Sequence, residues 1–203
     1  MKRKLLALVG LLALSIPLVQ AQTTLLNSWE NSPEGWSIIE TSTWSSTGFS
    51  TSNGVTQGTY SWALTATGVD YGQTMQGPAS TNLTALMANA ASLSMDIQLS
   101  TNAPAFGFGI QIDLEINQPG GAGFMSVDGF NYPGGVFGNF GQNTVSWPIS
   151  QAVRTALDAY PNLPCNLVLS IGGGGGGTIY IDNLRLSKIP QVQGALSVRE
   201  LWD

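Results

Sequence analysis

The chain contains no histidine, and it has one cysteine, Cys165, among its 203 residues. The lack of histidine excludes Ser-His-Asp triads, Cys-His nucleophiles and His-ligated zinc. A single cysteine allows no internal disulfide, although secretion would permit one. Another means of tying the fold together, such as a metal ion, is therefore worth seeking.

Basic residues are also scarce, and three of the seven stand together at residues 2–4. An apolar run follows from Leu5 to Val19, and a small residue ends the segment at Ala21. This layout is that of a secretory signal peptide over residues 1–21, with cleavage before Gln22. The alternative is an N-terminal membrane anchor, but the run is short for one. We expect a secreted protein, periplasmic or extracellular, with no membrane insertion after cleavage.

The charge balance limits the partners that the mature chain could bind. Loss of residues 1–21 would leave four basic residues against twelve acidic ones, a formal net charge of −8. Four dispersed basic residues do not form the basic patch needed to bind nucleic acid or an anionic membrane surface. Uncharged polysaccharides and cations remain as candidate partners.

Residues 22–189 read as a single domain of strands and turns. In residues 93–99 the apolar side chains alternate with Ser94, Asp96 and Gln98. A longer alternation covers residues 106–117, where the polar positions are Gln111, Asp113, Glu115 and Asn117. A period of two with one polar face indicates half-buried strands. Shorter segments of this kind lie at 59–66, 143–150, 165–171 and 178–186, so the sequence predicts an all-β antiparallel sandwich.

One short helix is expected, from the cap Ser150 to Tyr160, ended by Pro161. Residues 83–92 form a weaker helical turn. Residues 129–143, rich in Gly, Asn and aromatics, read as a loop that either plugs the core or contacts a ligand. Residues 190–203 form a C-terminal tail without a packing pattern and are a candidate for disorder.

Six glycines at 172–177 lead into the segment TIYIDNLRL. A phosphate-binding loop would need a following helix or a Lys-Ser/Thr pair, and neither is present. The glycines are instead predicted to form a flexible hairpin connection. The apolar parity changes between Ile181 and Leu184, which predicts a β-bulge near Asp182 and Asn183.

Three segments together resemble the jelly-roll, galactose-binding-like carbohydrate-binding modules of secreted bacterial proteins. They are LLNSWENSPEGW at 25–36, GVTQGTYSWAL at 54–64 and GTIYIDNLRL at 177–186. The resemblance covers most of residues 25–187 and implies a jelly-roll β-sandwich. In that family a structural calcium joins the first and last strands. Here the resemblance implies that Glu30 and Asp182 supply side-chain oxygens and that backbone near Gly58 supplies a carbonyl.

Sugar binding requires planar polar groups and an exposed aromatic face. If the two long strands share a sheet, their polar residues would line one groove: Asp96, Gln98, Gln111, Asp113, Glu115 and Asn117. Trp44 is the candidate aromatic platform, whereas Trp29, Trp36, Trp62 and Trp147 occupy positions expected in the core. Trp202 lies in the tail.

An enzymatic alternative lies in the same strand. QIDLEI at 111–116 resembles the E-x-D-x-E strand of laminarinase-type glucanases, whose two glutamates act as nucleophile and general acid/base. Gln111 stands where the nucleophile would be. We therefore predict a secreted, non-catalytic carbohydrate-binding protein with a structural calcium. A structural or adhesive surface protein and a divergent glycoside hydrolase or polysaccharide lyase are the alternatives.

Overall fold

The computed structural model describes residues 22–41, 44–66, 70–100, 106–118, 121–131, 141–174 and 177–189. Within these ranges eleven strands and two helices follow in order. The strands are β1 (Thr23–Asn27), β2 (Ser37–Thr41), β3 (Trp44–Ser50), β4 (Ser61–Ala66), β5 (Asp70–Gln76), β6 (Ala90–Leu99), β7 (Phe106–Gln118), β8 (Gly121–Asn131), β9 (Gln142–Pro148), β10 (Cys165–Gly174) and β11 (Gly177–Lys188). The helices are α1 (Thr81–Ala88) and α2 (Gln151–Ala159).

The described strands form two antiparallel sheets. The six-stranded sheet has the order β3-β4-β11-β6-β9, and β1 also pairs with β11. The five-stranded sheet has the order β2-β5-β10-β7-β8. Apolar side chains from both sheets meet in one buried cluster. The predicted antiparallel β-sandwich is therefore confirmed.

The core contains the four tryptophans that the strand pattern assigned to it. Trp29, Trp36, Trp62 and Trp147 are all buried. The rings of Trp29 and Trp36 meet edge to face with centroids 5.8 Å apart, and Trp62 lies 5.9 Å from Trp29. Such aromatic contacts add to the free energy gained by removing these rings from water. The indoles thus join the turn after β1 to the main core.

The long strands form as predicted, but they do not share a sheet. Leu93, Met95 and Ile97 on β6 are buried, as their alternation requires, and β7 buries Leu114. However, β6 belongs to the six-stranded sheet and β7 to the five-stranded sheet. The condition for one groove lined by both polar faces is not met, so that part of the prediction is wrong. Each strand has one apolar and one polar face, and this pattern is the same in either sheet.

The glycine run is not a hairpin. Gly172, Gly173 and Gly174 are part of β10 and pair with both β5 and β7. The next strand, β11, lies in the opposite sheet and begins at Gly177. The run therefore connects the two sheets of the sandwich, and the hairpin prediction is wrong.

The predicted bulge is present. The pairing of β11 with β6 shifts register between Asp182 and Arg185, and Asn183 has a left-handed φ of 54°. Residues on both sides of the shift, including Ile181 and Leu184, are fully buried. The bulge keeps the apolar residues of β11 in the core despite their change of parity.

Both helices have serine caps. The Ser150 hydroxyl accepts the N–H of Val153 at the start of α2, as predicted. The segment predicted to form a weak helical turn is a full helix, α1, capped by Ser80, so the structure has one helix more than was predicted.

The loop predicted at 129–143 was too long, because β8 extends to Asn131 and β9 begins at Gln142. Neither described helix is long and apolar enough to cross a membrane.

Candidate functional site

Asp182 is fully buried at the bulge, and its carboxylate binds the loop at residues 51–60. Its Oδ2 accepts the N–H of Thr56 at 2.6 Å and that of Gln57 at 2.8 Å. Its Oδ1 accepts the N–H of Asn183 at 2.6 Å. Burial raises the pKa of this carboxyl, and the hydrogen bonds only partly offset that effect. Asp182 thus fastens a loop that lies far from it in the chain.

Glu30 binds the same loop from the turn after β1. Its Oε1 and Oε2 accept the N–H of Thr59 at 3.2 and 3.0 Å. Gly58 adopts a left-handed φ of +67°, and a Cβ there would lie 1.9 Å from the Glu30 Oε1. The close approach of the carboxylate therefore depends on glycine at this position.

The three predicted calcium ligands consequently meet at one loop. Glu30 lies against Gly58, and Asp182 binds the residues just before it. The carboxylate oxygens suit calcium rather than a soft metal. Among the described residues, no three or more His, Cys, Asp or Glu side chains gather in a metal-binding group. Backbone carbonyls and water would have to complete a calcium shell, which is an ordinary arrangement for this ion.

Asp96 takes part in a buried network rather than facing solvent. Its Oδ1 lies 3.0 Å from the guanidinium of Arg185 and accepts the Thr144 hydroxyl at 2.7 Å. Its Oδ2 accepts the Thr56 hydroxyl and the Asn183 amide, both at 2.8 Å. Burial opposes ionisation, but these bonds outweigh it and lower the pKa of Asp96. This candidate ligand-binding residue therefore holds the fold together.

Gln98 also contacts the 51–60 loop, where its side-chain oxygen accepts the N–H of Gly54. Gly54 has a left-handed φ of +71°, and a Cβ there would meet the Cβ of Tyr180 at 2.3 Å. The loop thus lies close against the polar faces of β6 and β11. The polar positions of β6 that were expected to face a sugar are engaged with this loop.

The remaining candidate positions lie on β7 in the five-stranded sheet. Register places Gln111 opposite Ser170 and Asp113 opposite Val168 on β10. The Ser170 row continues to Thr74 on β5, and these two hydroxyls lie 3.3 Å apart. Cross-strand partners share one face of a sheet. A polar row therefore crosses at least three strands.

The last two candidate positions on β7 extend the same face. Glu115 pairs with Asn166 and Phe124, and Asn117 pairs with Ala122. The side chains of Gln111, Asp113, Glu115 and Asn117 lie outside the described residues. The Trp44 side chain does too, although its backbone pairs with Ala66 at the edge of the six-stranded sheet.

Sequence reasoning missed several residues that organise this region. Arg185, the cation beside Asp96, could have been noticed as one of the two basic residues of the closing strand, with Lys188 at its end. Thr56 and Thr144 carry no local signal, since their roles depend on strands distant in sequence. Glu34, which lies within the resembling segment, accepts three hydrogen bonds in the turn after β1.

No protein-family model matches the chain, and no curated protein matches it in sequence. Solved structures do match in fold. CBM27-1 of Caldicellulosiruptor saccharolyticus, in complex with mannohexaose, has a TM-score of 0.55 at 12% identity, covering 82% of this chain and 97% of its own. The xylan-binding module CBM15 has a TM-score of 0.50 at 13% identity, covering 85% and 99%.

A third structure comes from a study of carbohydrate-binding modules of the β-sandwich superfamily. Its TM-score is 0.54 at 16% identity, and the alignment covers 79% of this chain. The chain spans 62% of that structure, less than two thirds of its length. At these identities the similarity defines the fold, which is the β-sandwich found in carbohydrate-binding modules.

Proposed function

We propose that this protein is a secreted, non-catalytic carbohydrate-binding protein that recognises a poly- or oligosaccharide. The polar row through Gln111, Ser170 and Thr74 on the five-stranded sheet carries the proposal. Hydroxyl and amide groups in such a row can exchange hydrogen bonds with sugar hydroxyls. The shared fold adds support, and the acidic charge of the chain is compatible with a neutral glycan, which needs no basic patch.

The five-stranded sheet is the proposed binding face because the other polar face is occupied. On β6, Asp96 and Gln98 are engaged by the 51–60 loop. Structurally similar proteins include one bound to mannohexaose and one described as xylan-binding. Mannan and xylan are therefore the first polysaccharides to test, followed by a glycan array.

Affinity gel electrophoresis of the mature chain provides the test. Mannan or xylan in the gel should retard the protein, and Gln111→Ala and Asp113→Ala should weaken binding about tenfold or more, near 1.4 kcal/mol each. Gln142→Ala, an exposed glutamine on β9 of the other sheet, is the matched control. If neither polysaccharide retards the protein in the gel and no glycan on the array binds it, sugar binding is refuted and a structural or adhesive role is favoured.

The catalytic alternative has its own readout. A glycosidase would release reducing ends from the bound polysaccharide, and Glu115→Gln would abolish that release. We expect no release from either protein, because Gln111 replaces the nucleophilic carboxylate of the glucanase strand that QIDLEI resembles.

We further propose that Glu30, Asp182 and a backbone carbonyl near Gly58 hold a structural calcium. The ion would neutralise two carboxylates that bind the same loop and would stabilise the fold by mass action. Calcium should raise the melting temperature of chelator-treated protein, and Glu30→Gln should remove most of that increase. An unchanged melting temperature with EDTA and with added calcium would rule out the ion and leave the sugar proposal standing.

Secretion is proposed from residues 1–21 and is tested separately. Amino-terminal sequencing of the exported protein should begin at Gln22. A chain that retains Met1 at its amino terminus would contradict cleavage.

A further inference from the structure

The turn between β1 and β2 has an unusual backbone. Trp29, Asn31 and Glu34 are left-handed, with φ values of 49°, 57° and 50°, and Gly35 follows at 84°. Left-handed backbone is unfavourable for L-residues, least so for asparagine and most so for bulky side chains. A left-handed tryptophan therefore persists only if its surroundings hold it in place.

The carboxylate of Glu34 holds the backbone on both sides of Trp29. Its Oε2 accepts the N–H of Ser28 at 3.1 Å, and its Oε1 accepts the N–H of Glu30 at 2.9 Å. The Asn27 side chain also donates to Oε2, at 3.0 Å. One carboxylate therefore binds the N–H groups of the residue before and the residue after the strained Trp29.

The consequence of this strained turn is seen at the next residue. The Trp29 ring is buried against Trp36 and Trp62, whereas Glu30 is exposed and directed to the 51–60 loop. There the carboxylate of Glu30 binds the N–H of Thr59 and lies against Gly58. The left-handed conformation of Trp29 thus separates a side chain in the core from a side chain at the loop.

We infer that Glu34 is the positioning residue for Glu30. By accepting the Glu30 N–H, it fixes the backbone from which the Glu30 side chain reaches Gly58 and Thr59. Glu34 acts through Glu30, since its carboxylate accepts hydrogen bonds from residues 27, 28 and 30, all within its own turn. The inference holds whether or not the protein binds calcium or a sugar.

Amide hydrogen exchange of the full mature chain in EDTA tests this role. In Glu34→Ala the N–H of Thr59 should exchange at least tenfold faster, because its acceptor Glu30 is no longer held. The N–H groups of Thr56 and Gln57 are internal controls, since they bind Asp182 and should keep their rates. Glu34→Gln keeps one carbonyl acceptor and should restore part of the protection of Thr59.

A purely structural role would give a different pattern. Equal acceleration at Thr56, Gln57 and Thr59 would indicate general destabilisation and would overturn the inference. An unchanged rate at Thr59 would overturn it as well. If Glu34→Ala does not fold, Glu34→Gln carries the same comparison, with selective acceleration at Thr59 required. Glu30→Gln serves as the positive control, because it weakens the acceptor itself.

Discussion

Asp96 and Asp182 lie directly opposite each other on β6 and β11, with the Thr56 hydroxyl 2.8 Å from one carboxylate and 3.1 Å from the other. Like charges at opposed cross-strand positions repel, so each carboxylate needs its own partners. Asp96 has a cation, Arg185, whereas Asp182 is bound by backbone amides. This arrangement makes the region sensitive to small changes in its partners.

Removal of the cation should destabilise the protein. In Arg185→Gln the carboxylate of Asp96, 6% exposed, loses its ion pair while Asp182 remains opposite. A fully buried pair would cost more, but the Arg185 side chain is 23% exposed. We expect a loss of about 2 kcal/mol in the free energy of unfolding. Urea denaturation at pH 7 measures it, with the exposed Lys188→Gln as control, and equal stabilities of the two variants would contradict the prediction.

The Thr56 hydroxyl should contribute more to the stability of the fold than the Thr56 methyl group does. The Thr56 hydroxyl has one proton and lies within bonding distance of both carboxylates. Its loss therefore removes a hydrogen-bond donor that the two carboxylates share. Thr56→Val should lower the free energy of unfolding by about 1–3 kcal/mol, whereas Thr56→Ser should retain most of it. Thermal or urea denaturation of both variants provides the comparison, and a valine variant as stable as the serine variant would refute the bridging role.

Features set by neighbouring residues were predictable from the sequence. The burial of Leu93, Met95 and Ile97 follows from their alternation, and the bulge at Asp182 follows from the change of parity along β11. The Ser150 cap is equally local. Each needs only a few consecutive residues and the geometry of one element.

Features that depend on distant contacts could not be obtained in this way. The 51–60 loop contacts Gln98, which lies 44 residues after Gly54 in the chain. The alternating pattern of β6 does not indicate that a loop covers its polar face. The glycines at 172–177 would suit a hairpin or a crossing between sheets equally well, because composition does not identify the partner strand. The candidate site is divided for the same reason, with β6 and β7 in different sheets.

Alanine substitutions at two glycines should separate backbone strain from mere loss of flexibility. At Gly58 the φ of +67° is unfavourable for alanine, and the new Cβ would displace the Glu30 carboxylate. Because that carboxylate can swing away, the cost should be about 1–2 kcal/mol, from the backbone and the lost Thr59 bond. At Gly48 a Cβ would meet nothing within 4 Å.

Gly48→Ala should therefore change the free energy of unfolding by no more than about 0.5 kcal/mol. Thermal denaturation of both variants, together with the amide chemical shift of Thr59, provides the measurement. A Gly58→Ala protein with wild-type stability and an unchanged Thr59 shift would show that Glu30 does not need the glycine.

Cys165 should be unreactive in the folded protein. The thiol is fully buried at the start of β10, and burial raises its pKa above 9.0 by more than a hydrogen bond from Thr84 lowers it. The thiolate is the reactive form. Because burial both disfavours the thiolate and keeps reagents away from the sulfur, modification requires unfolding. A disulfide reagent at pH 8 should react at least about a thousandfold more slowly with native than with denatured protein. Rapid labelling of the native chain would contradict the buried position.

The raised pKa of Cys165 also predicts how stability varies with pH. Well below the ordinary pKa of a cysteine thiol the group is protonated in both states, and its contribution to stability is fully present. As the pH rises through the ordinary pKa of the thiol, the unfolded chain ionises first and is stabilised, so the stability of the fold falls until the pH passes the raised pKa of the folded state. Urea denaturation from pH 7 to 10.5 should show a steeper loss for wild type than for Cys165→Ala. Parallel curves would mean that the thiol has the same pKa in both states and that burial does not raise the pKa of the folded protein's thiol.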